Sequence, residues 1–241
     1  MDDRMPPAIQ LNQVCFSWPK QLNPTIEIAD LKVEEKQHVF IKGPSGCGKS
    51  TLLSLLTGIV TPQSGTIELL GTSLSSLSQS QRDQFRSDHI GYIFQQFNLL
   101  PYLSVLENVL LPCRFSKTRR DKVESKQELE LQAKQLLTRL HLPESCFHQA
   151  INTLSIGQQQ RVAAARALIG QPELIIADEP TSSLDSDNRQ AFIELLIEEA
   201  NRTGASVIFV SHDAALQSYF DVCIDLPRLN TANKSNQQGE A

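Results

Sequence analysis

Between an apolar run, His38-Val-Phe-Ile-Lys42, and a leucine-faced stretch over residues 50–59, the chain reads Gly43-Pro-Ser-Gly-Cys-Gly-Lys-Ser50. A strand that enters a G-x-x-x-x-G-K-[ST] turn and leaves through a helix admits few folds, because the helix must pack back on its own sheet. The glycines let successive backbone N–H groups curl around a phosphate, and the helix behind them points its positive end there. Gly43, Pro44, Ser45, Gly46, Cys47 and Gly48 form the cradle. Lys49 would reach the β- and γ-phosphates, Ser50 would bind Mg2+, and Thr51 would reach the α-phosphate. Cys47 lies inside that loop, which makes it a candidate oxidation-sensitive thiol.

An acidic strand matches this basic loop. In Leu174-Ile-Ile-Ala-Asp178-Glu179-Pro180 the carboxylate of Asp178 ends a buried apolar run, a costly position unless it meets a cation such as Mg2+. Glu179, the next residue, faces the other way and can polarise an attacking water. Around these motifs the apolar pattern changes period. Residues 9–18 and 25–33 alternate as half-buried antiparallel strands do. Residues 104–151 are charge-rich and helical, with a Leu129, Ala133, Leu136, Leu137, Leu140 stripe supported by Glu130 and Lys134 at i,i+4. An amphipathic helix from about residue 188 to 203 and the strand Ser-Val-Ile-Phe-Val-Ser-His212 follow. That alternation implies a parallel sheet with right-handed crossovers. The Ser-rich residues 71–81 read as a connector, and the first seven and last fifteen residues as polar, frayed ends.

Composition narrows the partners. A net charge of −5 over 241 residues gives no electrostatic reason to expect nucleic acid. No apolar run approaches the roughly eighteen residues that cross a bilayer, and Met1-Asp-Asp-Arg-Met-Pro lacks the apolar segment of a signal peptide. The five cysteines never form C-x-x-C, which argues against zinc and disulfides and fits a reducing cytoplasm. Any membrane role would be borrowed from another subunit.

Residues 154–158, Leu-Ser-Ile-Gly-Gln, hold no nucleophile, acid or metal ligand, yet open a helix just ahead of the acidic strand. With the two phosphate-site motifs, they make the chain resemble the ATP-binding cassettes of ABC transporters, over about residues 8–226. The resemblance implies an α/β fold: a P-loop NTPase core with a mainly parallel sheet, an N-terminal antiparallel β subdomain and an inserted helical subdomain. It places core and β subdomain at 8–95 and 172–226, the helical subdomain with the signature at 96–171, and a polar tail at 227–241, all one ATPase domain. Gln95 in Tyr-Ile-Phe-Gln-Gln-Phe-Asn-Leu-Leu-Pro matches the Q-loop, touching Mg2+ or the water. Asp185 in Ser-Leu-Asp matches the D-loop, bridging the dimer beside the nucleotide. His212 matches the switch histidine that contacts the γ-phosphate. Trp18 stands where such cassettes stack an aromatic on adenine; a core aromatic is the other reading.

In that family the signature meets the γ-phosphate of ATP held by a second copy. Ser155, Gly157 and Gln158 would therefore serve a partner's ATP, and two copies would close head-to-tail around two ATPs. Two positions depart from the usual pattern. Ile156 replaces the first glycine of Leu-Ser-Gly-Gly-Gln, and Glu35-Lys-Gln replaces Glu-Gly-Glu, so a turn must do without its glycine. The loop with Phe94, Phe97, Leu99, Leu100 and Tyr102 carries apolar and aromatic character suited to docking a permease. Phe-Gln-Gln-Phe-Asn-Leu-Leu-Pro followed by Leu-Glu-Asn-Val-Leu-Leu-Pro is similar to the lipoprotein-releasing and macrolide-exporter group, with a force-transmitting cell-division cassette as the second reading. The resemblance implies an ATPase on the cytoplasmic face of the membrane, held there by its permease.

Overall fold

The computed structural model describes residues 6–122 and 125–232; most of the expected frayed ends, 1–5 and 233–241, lies outside the described residues. In chain order the elements are β1 (Ile9–Phe16), β2 (Ile26–Val33), β3 (His38–Lys42), α1 (Lys49–Leu56), β4 (Ser64–Leu69), β5 (Thr72–Ser73) and α2 (Gln79–His89). Next come β6 (Ile90–Ile93), α3 (Val105–Phe115), α4 (Lys117–Arg120), α5 (Lys126–Arg139), α6 (Ile156–Leu168) and β7 (Leu174–Asp178). The chain continues with α7 (Ser186–Thr203), β8 (Ser206–Ser211), β9 (Val222–Asp225) and α8 (Leu226–Leu229). It divides into two compact units, residues 1–86 with 208–241 and residues 87–207.

The first unit holds the antiparallel sheet β2-β1-β4-β5. Its register sets Ile9 opposite Val33, Leu11 opposite Leu31 and Phe16 opposite Ile26, so the alternating apolar residues share one buried face. The β1–β4 register slips between Asn12 and Cys15. At that bulge Gly65 (φ 83) leaves no room for a side chain, since a Cβ would come within 2.2 Å of the Gln13 carbonyl oxygen. The same unit orders β8-β3-β9, with β9 parallel to β3 and Val39 opposite Val222. β3 from His38 to Ile41 and all of β8 are buried, which is why both read as unbroken apolar runs. The turn before β3 places Lys36 at φ 62, left-handed, where the glycine of the commoner pattern would sit without strain.

The second unit pairs β6 with β7 in parallel, Ile90 opposite Leu174, and packs α3, α5 and α6 together. The stripe Leu129, Ala133, Leu136, Leu137 and Leu140 is buried, and Glu130 meets Lys134 at 2.7 Å. A buried cation that sequence patterning misses organises this unit. Arg119 donates to the carbonyls of Asp88, Ile90, Ala167 and Ile169, and burial lowers its pKa to about 10.

Three expectations need correction. The Ser-rich 71–81 is not a plain connector: it holds β5, a 3-10 turn with Leu74 buried, and the start of α2, where Ser78 and Gln81 bond reciprocally. The 188–203 helix begins at Ser186, because Asp185 caps it by accepting the Asn188 N–H at 3.0 Å. Of the tail expected to fray from 227, residues 227–229 instead belong to α8, and Asn230 and Ala232 are completely buried; 233–241 lies outside the described residues. None of the described helices is long and apolar enough to cross a membrane.

Candidate functional site

The phosphate loop grows directly out of β3 and ends where Gly48, at φ 103, starts α1 as its N-cap. Only glycine adopts that backbone freely, and its carbonyl accepts the Leu52 N–H at 2.8 Å. Lys49 folds back over the loop and donates to the carbonyls of Gly43 (2.9 Å) and Pro44 (3.1 Å). Its ammonium thus waits on carbonyls, which a phosphate oxygen can replace at a gain in charge complementarity. Pro44, Ser45, Gly46 and Ser50 are exposed. A Cβ on Gly46 would meet nothing within 4 Å, so that stretch of the loop is open.

Trp18 belongs to the same cluster. Its indole N–H donates to the Thr51 hydroxyl at 3.2 Å, and its ring stands edge-on to Phe16 at 5.1 Å and 86°. At 38 % exposure Trp18 is partly open to solvent, with Phe16 and Thr51 against it. Cys47 lies inside the loop. The thiol is buried, and burial pushes its pKa up despite the opposing pull of Lys49. Burial and a raised pKa both lower the thiolate fraction on which thiol oxidation depends. His212 is exposed just past the end of β8, and Asp213 beside it caps the following 3-10 turn at Ala215 (3.1 Å).

The second unit gathers the other candidates. Asp178 ends β7 half-buried, and Tyr92 feels it: burial first, then the nearby Asp178 charge, raise the phenol above its ordinary range. Glu179 sits at φ 44, a left-handed conformation costing a non-glycine residue about 1–2 kcal/mol. Strain of this kind persists only where the surrounding structure imposes it. The buried Gln160 of α6 steadies the turn by donating to the Pro180 carbonyl at 2.9 Å.

Gln95 is exposed at the start of the loop after β6. Phe97 and Asn98 follow in left-handed conformations, φ 59 and 48. Arg166 of α6 donates to both their carbonyls, and Asn108, fully buried, bonds the N–H and C=O of Leu100 at 2.8 and 3.0 Å. This corrects the proposed docking surface. Phe97 is buried, whereas Phe94 and Tyr102 are exposed and Leu99 and Leu100 half-exposed. Sequence reasoning missed Gln160, Arg166 and Asn108; their polar side chains on apolar helix faces were the available signal.

The signature forms the N-terminus of α6. Ser155 accepts the Gln158 N–H at 3.3 Å, and the Gln158 side chain accepts the Ser155 N–H at 2.9 Å, a complete capping box. Ser155 and Ile156 are exposed, and a Cβ on Gly157 would meet nothing within 4 Å. Among the described residues no packing requires that glycine. Asp185 is exposed at the start of α7 with its carboxylate held by Asn188, at 3.0 Å from the backbone N–H and 2.8 Å from the side-chain amide, which lowers its pKa. The first unit therefore carries Trp18, residues 43–51 and His212. The second carries Gln95, Ser155, Gly157, Gln158, Asp178, Glu179 and Asp185.

Comparison with known proteins meets this geometry. Residues 26–182 match the model of the family described as "ABC transporter". The chain is 39% identical over 197 residues to the lipoprotein-releasing system ATP-binding protein LolD of Bacteroides fragilis, covering 82% of this chain and 88% of that protein. It is 38% identical over 191 residues to the macrolide export ATP-binding/permease protein MacB of Rhodopirellula baltica, covering 79% of this chain but 27% of that one. A dimeric post-hydrolysis state of the ATP-binding cassette MJ0796, bound to ADP and Pi, superposes with a TM-score of 0.79 at 33% identity, over 91% of this chain and 95% of that one. Phosphate loop, acidic strand, signature and these matches agree: the chain belongs to the ABC transporter family, as an ATP-binding and ATP-hydrolysing cassette.

Proposed function

We propose that this cassette pairs with a second copy around two ATPs and drives a separate membrane permease of the lipoprotein-releasing or macrolide-exporting kind. The observation that carries the reading is the start of α6: a capped, exposed helix end whose Gly157 has open space beside it. A helix N-terminus with no partner requirement of its own suits an anion delivered from outside the chain. The similar cassette MJ0796 is a dimer with ADP and Pi. The relatives' names support a permease partner: one is the ATP-binding protein of a lipoprotein-releasing system, the other an ATP-binding/permease protein of macrolide export. The names of these relatives favour release and export over force transmission without cargo.

Within the site, residues 43–51 hold the phosphates, with Lys49 moving from the loop carbonyls to the β- and γ-phosphates. Trp18, partly exposed, stacks its indole on adenine. The oxygen donors of Ser50, Gln95 and Asp178 are hard ligands suited to Mg2+, which when bound neutralises developing phosphate charge. Glu179 accepts the proton of the attacking water and His212 contacts the γ-phosphate. Ser155, Gly157 and Gln158 close on the partner's ATP, with Asp185 at the junction. Phe94 and Tyr102 dock the permease, which holds the cassette on the cytoplasmic face of the membrane. The acidic balance of the chain disfavours nucleic acid as a partner.

Glu179→Gln tests the reading. The amide keeps the shape of the side chain and loses its basic oxygen, so hydrolysis falls by about two to four orders of magnitude. With ATP the variant should elute as a dimer by light scattering, and with ADP as a monomer. A variant that binds ATP and stays monomeric at millimolar concentration would contradict the paired arrangement.

A further inference from the structure

Residues 225–232 lie against the back of the phosphate loop within the first unit. Pro227 Cδ is 3.2 Å from where a Cβ on Gly43 would sit, and Asn230 Nδ2 is 3.5 Å from that of Gly48. Asn230 is fully buried, and both ends of its amide are used. Its Oδ1 accepts the Glu27 N–H at 2.8 Å and the Ala232 N–H at 3.2 Å. Its Nδ2 donates to the Thr25 carbonyl at 2.9 Å and the Cys47 carbonyl at 3.5 Å. Two donors facing one end and two acceptors facing the other fix the orientation of the amide. Thr231 staples the same segment to β2, its N–H and hydroxyl both donating to the Glu27 carbonyl at 2.9 and 3.2 Å. Among these bonds, the one to the Cys47 carbonyl reaches the loop itself.

That bond controls a peptide plane. The Cys47 carbonyl and the Gly48 N–H belong to one planar trans peptide, so they point in opposite directions. A donor that holds the carbonyl on one side turns the N–H to the other. Gly48, at φ 103, has no side chain to fix that plane by packing, and its backbone freedom is the widest of any residue. We propose that Asn230 is a positioning residue for the nucleotide: by holding the Cys47 carbonyl it aims the Gly48 N–H at the bound phosphate. This rests on the reading of residues 43–51 as the ATP site. A staple that merely fastens the chain to β2 would need only the Glu27 and Thr25 bonds.

The experiment measures affinity for a fluorescent ATP analogue, mant-ATP, in Asn230→Ala and Asn230→Asp, the latter keeping the acceptor end and losing both donors. Loss of one neutral hydrogen bond's contribution weakens binding about fivefold, with KM for ATP rising and kcat little changed. Thr231→Val loosens the same segment without touching the loop, and should lower the thermal midpoint while leaving affinity unchanged. A folded Asn230→Ala that binds mant-ATP as tightly as the parent protein overturns the proposal. Should neither Asn230 variant fold, amide exchange at Gly48 in the parent protein decides: slowing on ADP binding supports the assignment and unchanged exchange defeats it. Lys49→Ala is the separate check on the site. Undiminished mant-ATP binding there would overturn the ATP-site reading, and the role of Asn230 with it.

Discussion

Lys36 stands in the left-handed region at φ 62 with its side chain in solvent. A side chain costs about 1–2 kcal/mol in that conformation, while a glycine costs about 0.5–1 kcal/mol more chain entropy on folding. The strain is the larger, so Lys36→Gly should stabilise the protein by about 0.5–1 kcal/mol and raise the thermal midpoint by a few degrees at most. A midpoint that falls in calorimetry would mean that the turn gains something from the lysine. The departure at this position was visible in the sequence; its sign was not, because only the backbone shows that the turn still takes the glycine conformation. Glu179 is the opposite case. Its place after the apolar strand marked it as reactive, yet nothing local announces φ 44. A strained non-glycine residue beside the candidate Mg2+ ligand is held there by the surrounding structure, including the Gln160 bond to Pro180.

At the scale of elements, β7 shows how a strand becomes anchored at the end away from the chemistry. Glu173, just ahead of β7, bonds His89 at 3.0 Å and Lys122 at 3.2 Å. Burial raises its pKa, but the His89 bond, its own backbone N–H and the Lys122 charge outweigh it and hold the carboxyl at about 2. A carboxylate depressed from 4.5 stabilises the fold above about pH 4.5, and that contribution fades as pH falls towards 2. The side chain is 42% exposed, so solvent screening limits the contribution to about 1 kcal/mol. Glu173→Gln should therefore lower the urea midpoint at pH 7 and have little effect near pH 2. An equal loss at both would assign the effect to packing rather than charge. Strands and helices were legible because their periods are local: β3 falls on the expected residues, and the α5 stripe is buried as read. Phe97 was misplaced because sequence shows an apolar loop but not which way each side chain turns. Arg166 on α6 and two left-handed residues bring it inward, and those partners lie some 68 positions apart.

The whole molecule draws its two units unequally from the chain. Residues 87–207 form one without interruption, whereas the other needs residues 1–86 and 208–241 together. Motif order could be read along the sequence, but Asn230 bonding Thr25 across 205 positions could not. A polar tail offers no periodicity, and only closure of the first unit shows why one asparagine in it is buried.

That interrupted arrangement sets an order of birth. As the chain leaves the ribosome, β3 emerges early yet must wait for β9, its parallel neighbour, until residue 222 is made. At about 5–20 residues per second, the intervening residues 87–207 take about 6–24 s to synthesise. By the end of that interval the second unit has all its residues, while the phosphate loop still has neither β9 nor Asn230 behind it. Nascent chains stalled with residue 207 clear of the exit tunnel should resist protease over 87–207 while residues 9–56 are still cut. Early protection of 9–56 would reverse the order. A cassette made in this sequence acquires its nucleotide site last, so a half-made chain cannot sequester ATP.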